Sequence, residues 1–239
     1  MWFSFLQLVV NHGRASLRKN GLAKTALLSV TRPSSYLFLY RRLKLQQKFD
    51  RKLGLDTTEE VNLAHLSYIE SPNREHGTGY QPTPISLFHE MIRGLSIRYE
   101  DFVFVDFGSG KGRTLLIAAD YPFRRIIGVE YNQYLHQIAV RNLGLYQSPG
   151  RQCQAITTIC ADAATFQIPP EPAVLYFANP FNEVVMQKLI KSIEASWRNS
   201  PRNLFAVYYN PVHRESFSQS LFSLKCEGKG YAIFATPAI

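Results

Sequence analysis

Residues 102–130 constrain the fold more than any other part of this 239-residue chain. Phe102 to Phe107 is a near-continuous apolar run, the pattern of a strand buried on both faces and hence of a parallel sheet covered by helices. It breaks into Gly108-Ser109-Gly110-Lys111-Gly112, a helical stretch follows over Thr114 to Asp120, and a second apolar run, Arg125 to Glu130, ends in an acid. The same alternation continues downstream. Helices are expected over Tyr134 to Leu143 and Glu183 to Trp197, the latter with Val184, Val185, Leu189, Ile193 and Trp197 inward. Strands are expected over Ala155 to Cys160, Val174 to Ala178 and Leu204 to Tyr209, and a hairpin from Ser223 to Ala235 turns at Gly228-Lys229-Gly230. Pro84 opens a further helix bearing Leu87, Phe88, Met91, Ile92 and Leu95. The fold class is therefore α/β, a doubly wound Rossmann-like sheet, mostly parallel, closed by a C-terminal antiparallel hairpin.

The glycine loop leaves a strand and enters a helix, the context in which glycines permit a sharp turn and close approach of backbone to a ligand. Glu130, twenty-four residues after Asp106, ends the second strand, where a carboxylate can accept hydrogen bonds from both hydroxyls of a ribose. A nicotinamide fingerprint requires its third glycine at Arg113, but here it arrives one residue early, at Gly112. A phosphate-binding P-loop is excluded because no Gly-Lys-Ser/Thr follows. Asp106 in front of the loop also suits a ligand with a positive centre better than a pyrophosphate. Gly-x-Ser-x-Gly is absent, so a serine nucleophile has no support. The six histidines are scattered away from ligand spacing, and no metal is expected.

Asp106-x-Gly108-x-Gly110-x-Gly112 followed by Gly128-Val129-Glu130 resembles the signature of class I, seven-stranded S-adenosylmethionine-dependent methyltransferases. The resemblance spans about Tyr80 to the C-terminus. It implies that Asp106 with the backbone of Gly108, Ser109, Gly110 and Gly112 holds the methionine end of S-adenosyl-L-methionine. Glu130 would hold the ribose, and Asp162, in Cys160-Ala161-Asp162-Ala163, would contact the adenine amino group. A solvated loop carboxylate is the competing reading of Asp162.

Leu175 to Phe177 runs into Ala178-Asn179-Pro180-Phe181, at the carboxyl edge where such sheets bind ligands. Asn179-Pro180-Phe181 resembles the Asn/Asp-Pro-Pro-aromatic element of amino-group methyltransferases, with one proline fewer. Tyr80-x-Pro82-Thr83, with the helix and glycine loop after it, is similar to the Dot1-type lysine methyltransferases, whose fourth-strand element is Asn-Asn-Phe. That resemblance implies that Tyr80 and Thr83 touch the cofactor and that Asn179, Pro180 and Phe181 serve the methyl acceptor. The departure at Pro180 removes one hydrogen-bonding side chain. The expected activity is N-methyl transfer to a protein substrate, lysine first. A nucleic acid base nitrogen is the alternative, and a methyltransferase-like binding module without catalysis is a third reading. Asn179 could instead cap the helix at Glu183, a role better suited to Asn182.

The charge is divided. Residues 1–49 hold nine basic and no acidic residues, whereas the remaining 18 basic residues equal the 18 acidic ones. This basic helical arm, with the loop up to residue 79, is expected to precede a methyltransferase domain from Tyr80 to Ile239. Leu39, Leu43, Leu45, Phe49 and Leu53 make Ser34 to Leu53 an amphipathic helix. The arm reads as a cap on the body, as a contact for nucleic acid or an anionic membrane surface, or as a mitochondrial transit peptide. A secretory signal is rejected because its charge would precede the apolar Trp2 to Val10. Three cysteines without a close pair fit a reducing compartment, and no apolar run has membrane-spanning length, so a cytoplasmic location is expected.

Overall fold

A computed structural model describes residues 44–61 and 79–238 of the chain. It comprises two compact units, Met1–Lys52 and Leu53–Ile239. In the first, residues 44–52 are helical, in keeping with the amphipathic pattern. The rest of the basic arm and the polar stretch over 71–78 lie outside the described residues.

The second unit is built on a seven-stranded sheet. Its strands are β1 (Val103–Phe107), β2 (Arg125–Glu130), β3 (Ile156–Cys160), β4 (Ala173–Phe177), β5 (Leu204–Tyr209), β6 (Ser223–Gly228) and β7 (Tyr231–Ala235). They lie in the order β3-β2-β1-β4-β5-β7-β6, parallel except for β7, which runs against both its neighbours. The mostly parallel sheet with an antiparallel hairpin is as expected. The helices are α1 (Ile85–Arg93), α2 (Arg113–Ala118), α3 (Gln133–Leu145), α4 (Glu183–Asn199) and α5 (Glu215–Ser218). No described helix is long and apolar enough to cross a membrane.

Burial follows from position in the sheet. β1 and β4 are central and buried at every residue, which is why their sequences read as apolar runs interrupted only by Asp106. β3, at one edge, alternates between exposed and half-buried residues. β6, at the other, is exposed throughout; a bulge between Leu224 and Cys226 and the Lys225 ammonium, 4.7 Å from the centre of the Phe205 ring, blunt it against further pairing.

Asn182 caps α4, its side-chain oxygen accepting the Val185 N–H at 3.3 Å, as expected. The buried stripe of that helix is rotated from the expected one. It comprises Val185, Met186, Leu189, Ile190 and Ile193, while Val184 is 48% exposed. Val185 is in phase with Leu189 and Ile193, with Met186 and Ile190 beside it on the same face, which leaves Val184 outside the stripe.

The short helix α5 has no clear periodicity in the sequence, being a single turn. It carries Phe217, fully buried, stacked on Phe234 at 4.5 Å and edge-on to Phe222 and Phe177. This aromatic cluster holds the β6–β7 hairpin to the parallel part of the sheet. Phe217→Ala should therefore destabilise the protein by about 3–5 kcal/mol in denaturant titration, the usual cost of an emptied aromatic core site. A change within 1 kcal/mol would show that the cluster adds little.

Candidate functional site

The strand order reverses between β1 and β4, from which the chain departs towards opposite edges of the sheet. The carboxyl ends of two such strands leave a crevice between their exit loops. Here those loops are Gly108–Gly112 after β1 and Ala178–Phe181 after β4.

The glycine loop is anchored to β2 by its own backbone. The N–H groups of Gly108 and Ser109 both donate to the Val129 carbonyl, at 2.8 and 3.1 Å, and the Gly112 N–H closes a turn on Ser109. Gly108 and Gly110 have φ of +77° and +54°, left-handed values that glycine adopts without strain. Space demands glycine as well: a Cβ on Gly108 would collide with Pro180, and one on Gly110 with the Tyr80 ring. The loop is thus the floor on which the β4 exit and the Tyr80 segment both rest.

Two carboxylates converge on this floor. Asp106, 1% exposed, accepts a hydrogen bond from the Thr114 hydroxyl through Oδ2, while Oδ1 is buried without a hydrogen-bond partner. Glu130, 3% exposed, accepts the Gly110 N–H at Oε2 and the Asn132 N–H at Oε1, each at 2.8 Å. Neither forms an ion pair among the described residues. Burial pushes Asp106 up to about 7; the Thr114 bond opposes this and the nearby Glu130 charge adds to it. Burial likewise pushes Glu130 up to about 7, against the backbone hydrogen bonds from Asn132, Gly110 and Tyr131.

Residues between and after the glycines clasp the chain upstream. Lys111 Nζ reaches Asp56 Oδ1 at 2.7 Å, and Arg113 donates from Nε to Thr57 and from Nη2 to Thr58. The Tyr80 hydroxyl donates to the Thr57 carbonyl at 2.7 Å, and Val61 and Tyr80 exchange backbone hydrogen bonds. The Thr83 hydroxyl is 3.0 Å from that of Tyr176 in β4, within the core.

One cleft is lined by Tyr80, Thr83, Asp106, Gly108, Ser109, Gly110, Glu130 and Pro180, so eight of the twelve expected site residues meet there. Asn179 lines an adjoining pocket with Tyr209 and Asn210, and its Oδ1 accepts the Tyr208 hydroxyl at 3.3 Å. The other three lie elsewhere. Gly112 caps α2 and packs close to Ala139; Phe181 is buried in the main core cluster; Asp162 accepts the Ala164 N–H at 2.9 Å, capping a short 3-10 turn. The residue-by-residue reading did not reach Thr114, Tyr131, Leu135, Gln81 or Arg113, which also line the cleft. Arg113 carried a signal, since an arginine at the first turn of an otherwise apolar helix must satisfy its guanidinium within the fold.

No family model matches the sequence, and no curated protein is similar to it at a significant level. Solved structures do match. A predicted N6-adenine-specific DNA methylase from Listeria monocytogenes aligns with a TM-score of 0.50 and 15% identity, over 66% of this chain and 52% of that one. An RNA methyltransferase from Salinibacter ruber, in complex with S-adenosyl-L-homocysteine, aligns with a TM-score of 0.43 and 17% identity over 65% and 92%. A ribosomal protein L11 methylase from Lactobacillus delbrueckii subsp. bulgaricus gives 0.47 and 11% over 74% and 97%. The likeness is one of fold.

Burial of the two acids and the packing of Gly108 each have a measurable consequence. Asp106 and Glu130 hold protons in the folded protein up to about pH 7, which the unfolded chain releases near pH 4. Between those values the folded state binds more protons, so these groups make the ligand-free protein less stable as pH rises from about 4 to about 7, with no further effect above. Asp106→Asn should flatten that fall in unfolding free energy; an unchanged slope would contradict the burial of an ionisable group here. Gly108→Ala should lower stability by about 1–3 kcal/mol through left-handed strain and collision with Pro180, and a neutral result in thermal unfolding would contradict the packing described.

Proposed function

We propose that this chain is an S-adenosyl-L-methionine-dependent N-methyltransferase. The observation that carries the reading is the pair of buried carboxylates, Asp106 and Glu130, that have no counter-ion among the described residues beside a backbone-anchored glycine loop. Leaving them charged there is costly unless a ligand supplies positive charge and hydrogen-bond donors. The cofactor fits that demand through its ammonium, its sulfonium and its ribose hydroxyls. The orphaned Asp106 Oδ1 and the buried Ser109 Oγ, also without a partner, offer positions for donors, and the oxygens of Glu130 keep lone pairs for the ribose.

When bound, the cofactor supplies a methyl group on a positively charged sulfur. The chain's own task is to hold a nitrogen lone pair on line with that carbon, and positioning can provide about 7–11 kcal/mol of the barrier. Pro180 rests on Gly108, which puts the β4 exit against the cofactor loop; Asn179, the residue before it, lines the adjoining pocket. The Asn179 carboxamide is suited to accept an N–H of the acceptor. Tyr80, laid over Gly110, and the clasp by Lys111 and Arg113 limit access of water to the cleft.

A protein lysine is the acceptor we favour, in line with the likeness of Tyr80-x-Pro82-Thr83 and Asn179-Pro180-Phe181 to lysine methyltransferases. A nucleic acid base nitrogen is the second reading, because the Tyr209 ring at the acceptor pocket could stack on a base.

Calorimetric titration with S-adenosylmethionine and S-adenosylhomocysteine tests the cofactor. Both should bind the wild-type protein, and Glu130→Ala should weaken binding by roughly ten- to hundred-fold, the loss of one charge-assisted hydrogen bond or more. A labelled methyl group should then appear on lysine in a mixture of proteins rather than on RNA. No binding by folded protein would overturn the proposal; label on RNA alone would select the second reading.

A further inference from the structure

The pocket beside the cofactor cleft has a volume of about 190 Å³ and is lined by Gly79, Gln81, Ala178, Asn179, Tyr209 and Asn210. Gly79, Gln81 and Ala178 also line the cleft, so the two spaces share a wall. None of the six described lining residues carries a charge, and three of them, Gln81, Asn179 and Asn210, have side-chain amides.

Asn179 and Asn210 are related by position. β4 and β5 are adjacent and parallel, with Phe177 paired to Tyr208 at the end of their ladder, so each asparagine sits two residues past that last β4–β5 pair. Both turn through the left-handed region, with φ of +51° and +50°, where asparagine is among the few non-glycine residues commonly found. The two exits are tied together by Tyr208, which is fully buried. Its hydroxyl accepts the His213 N–H at 3.4 Å and donates to Asn179 Oδ1 at 3.3 Å. The β5 exit is therefore built against the β4 exit, and Asn210 reaches the same space as Asn179.

We propose that Asn210 is a second acceptor-binding residue, and that the paired asparagines select a primary amine in its uncharged form. This rests on the methyltransferase reading above. An ammonium ion entering a pocket whose described lining holds no carboxylate loses hydration and gains no counter-ion from it, whereas a neutral amine loses little and can donate to amide oxygens. Only the neutral form has the lone pair that accepts a methyl group. The pocket thus favours the reactive form by excluding the charged one, without a general base.

The probe is n-butylamine, titrated by saturation-transfer NMR into protein saturated with S-adenosylhomocysteine, between pH 8 and pH 9.5. In that window Asp106 and Glu130 of the neighbouring cleft are already ionised, and Tyr208, pushed up to about 12 by burial, is not yet. Among the described residues, Tyr209 lines the pocket and His213 bonds Tyr208 through its backbone N–H, and Tyr209→Phe serves as the control for the phenol. The apparent affinity should rise about tenfold per pH unit, following the free-base fraction of an amine with a pKa near that of lysine. Asn210→Gly keeps the left-handed backbone and should weaken amine binding at least fivefold while S-adenosylhomocysteine affinity is unchanged. Asn210→Asp supplies a counter-ion and should flatten the pH dependence. A pH-independent affinity, no amine binding to the cofactor-saturated protein, an unaffected Asn210→Gly variant, or binding of adenine in preference to the amine would each overturn the proposal. Failure of S-adenosylhomocysteine itself to bind would overturn the methyltransferase reading, and this inference with it.

Discussion

Two carboxylates buried at the ends of neighbouring strands, without an ion-pair partner among the described residues, are the constraint around which this unit is arranged. Asp106 and Glu130 lie at 1% and 3% exposure and both are pushed up to about 7, so a fold selected for stability alone would have replaced them with apolar residues. The surrounding structure keeps them in place. Glu130 draws the glycine loop back over β2 through the Gly110 N–H, and Thr114, in the first turn of the following helix, returns a hydroxyl to Asp106. The loop and the acids therefore support each other, and a change to either alters the shape of the cleft.

From that floor the rest of the site is assembled by contact. Pro180 packs on Gly108 and brings the β4 exit to the loop; Tyr80 packs on Gly110 and brings the segment ahead of α1. Lys111 within the same five-residue loop and Arg113, the first residue of α2, hold Asp56, Thr57 and Thr58. Residues from four stretches of chain, separated by up to about 120 positions, meet because one tight turn offers glycine where two neighbours need the space. The compact unit accordingly begins at Leu53, and the clasped residues 56–58 lie inside it.

Much of this was legible in the sequence, for reasons of periodicity. Central strands β1 and β4 are apolar apart from Asp106 because both their faces are covered, and the loop and Glu130 sit at fixed offsets from β1. The pairing of Asp106, the glycines and Glu130 followed from that spacing. What stayed hidden depended on distant partners. Nothing local marks Phe217 as the centre of an aromatic cluster, since one helical turn has no period to read. Nor could the sequence separate Val184 from Val185, which differ only in phase, or show that Asn210 lies beside Asn179, which requires the register of β4 on β5. Phe181 illustrates the converse. Next to Asn179 and Pro180 in sequence, it points into the core, because successive residues leaving a strand face different ways.

If the carboxylates are held protonated until a cationic ligand arrives, binding must expel their protons. Calorimetry of S-adenosylmethionine binding in two buffers of different ionisation enthalpy measures that release directly. At pH 6 the account predicts that between about one and two protons leave the protein per cofactor bound, falling to near zero at about pH 8.5, where Asp106 and Glu130 are already charged. Binding at pH 6 with no proton release, or with proton uptake, would contradict it.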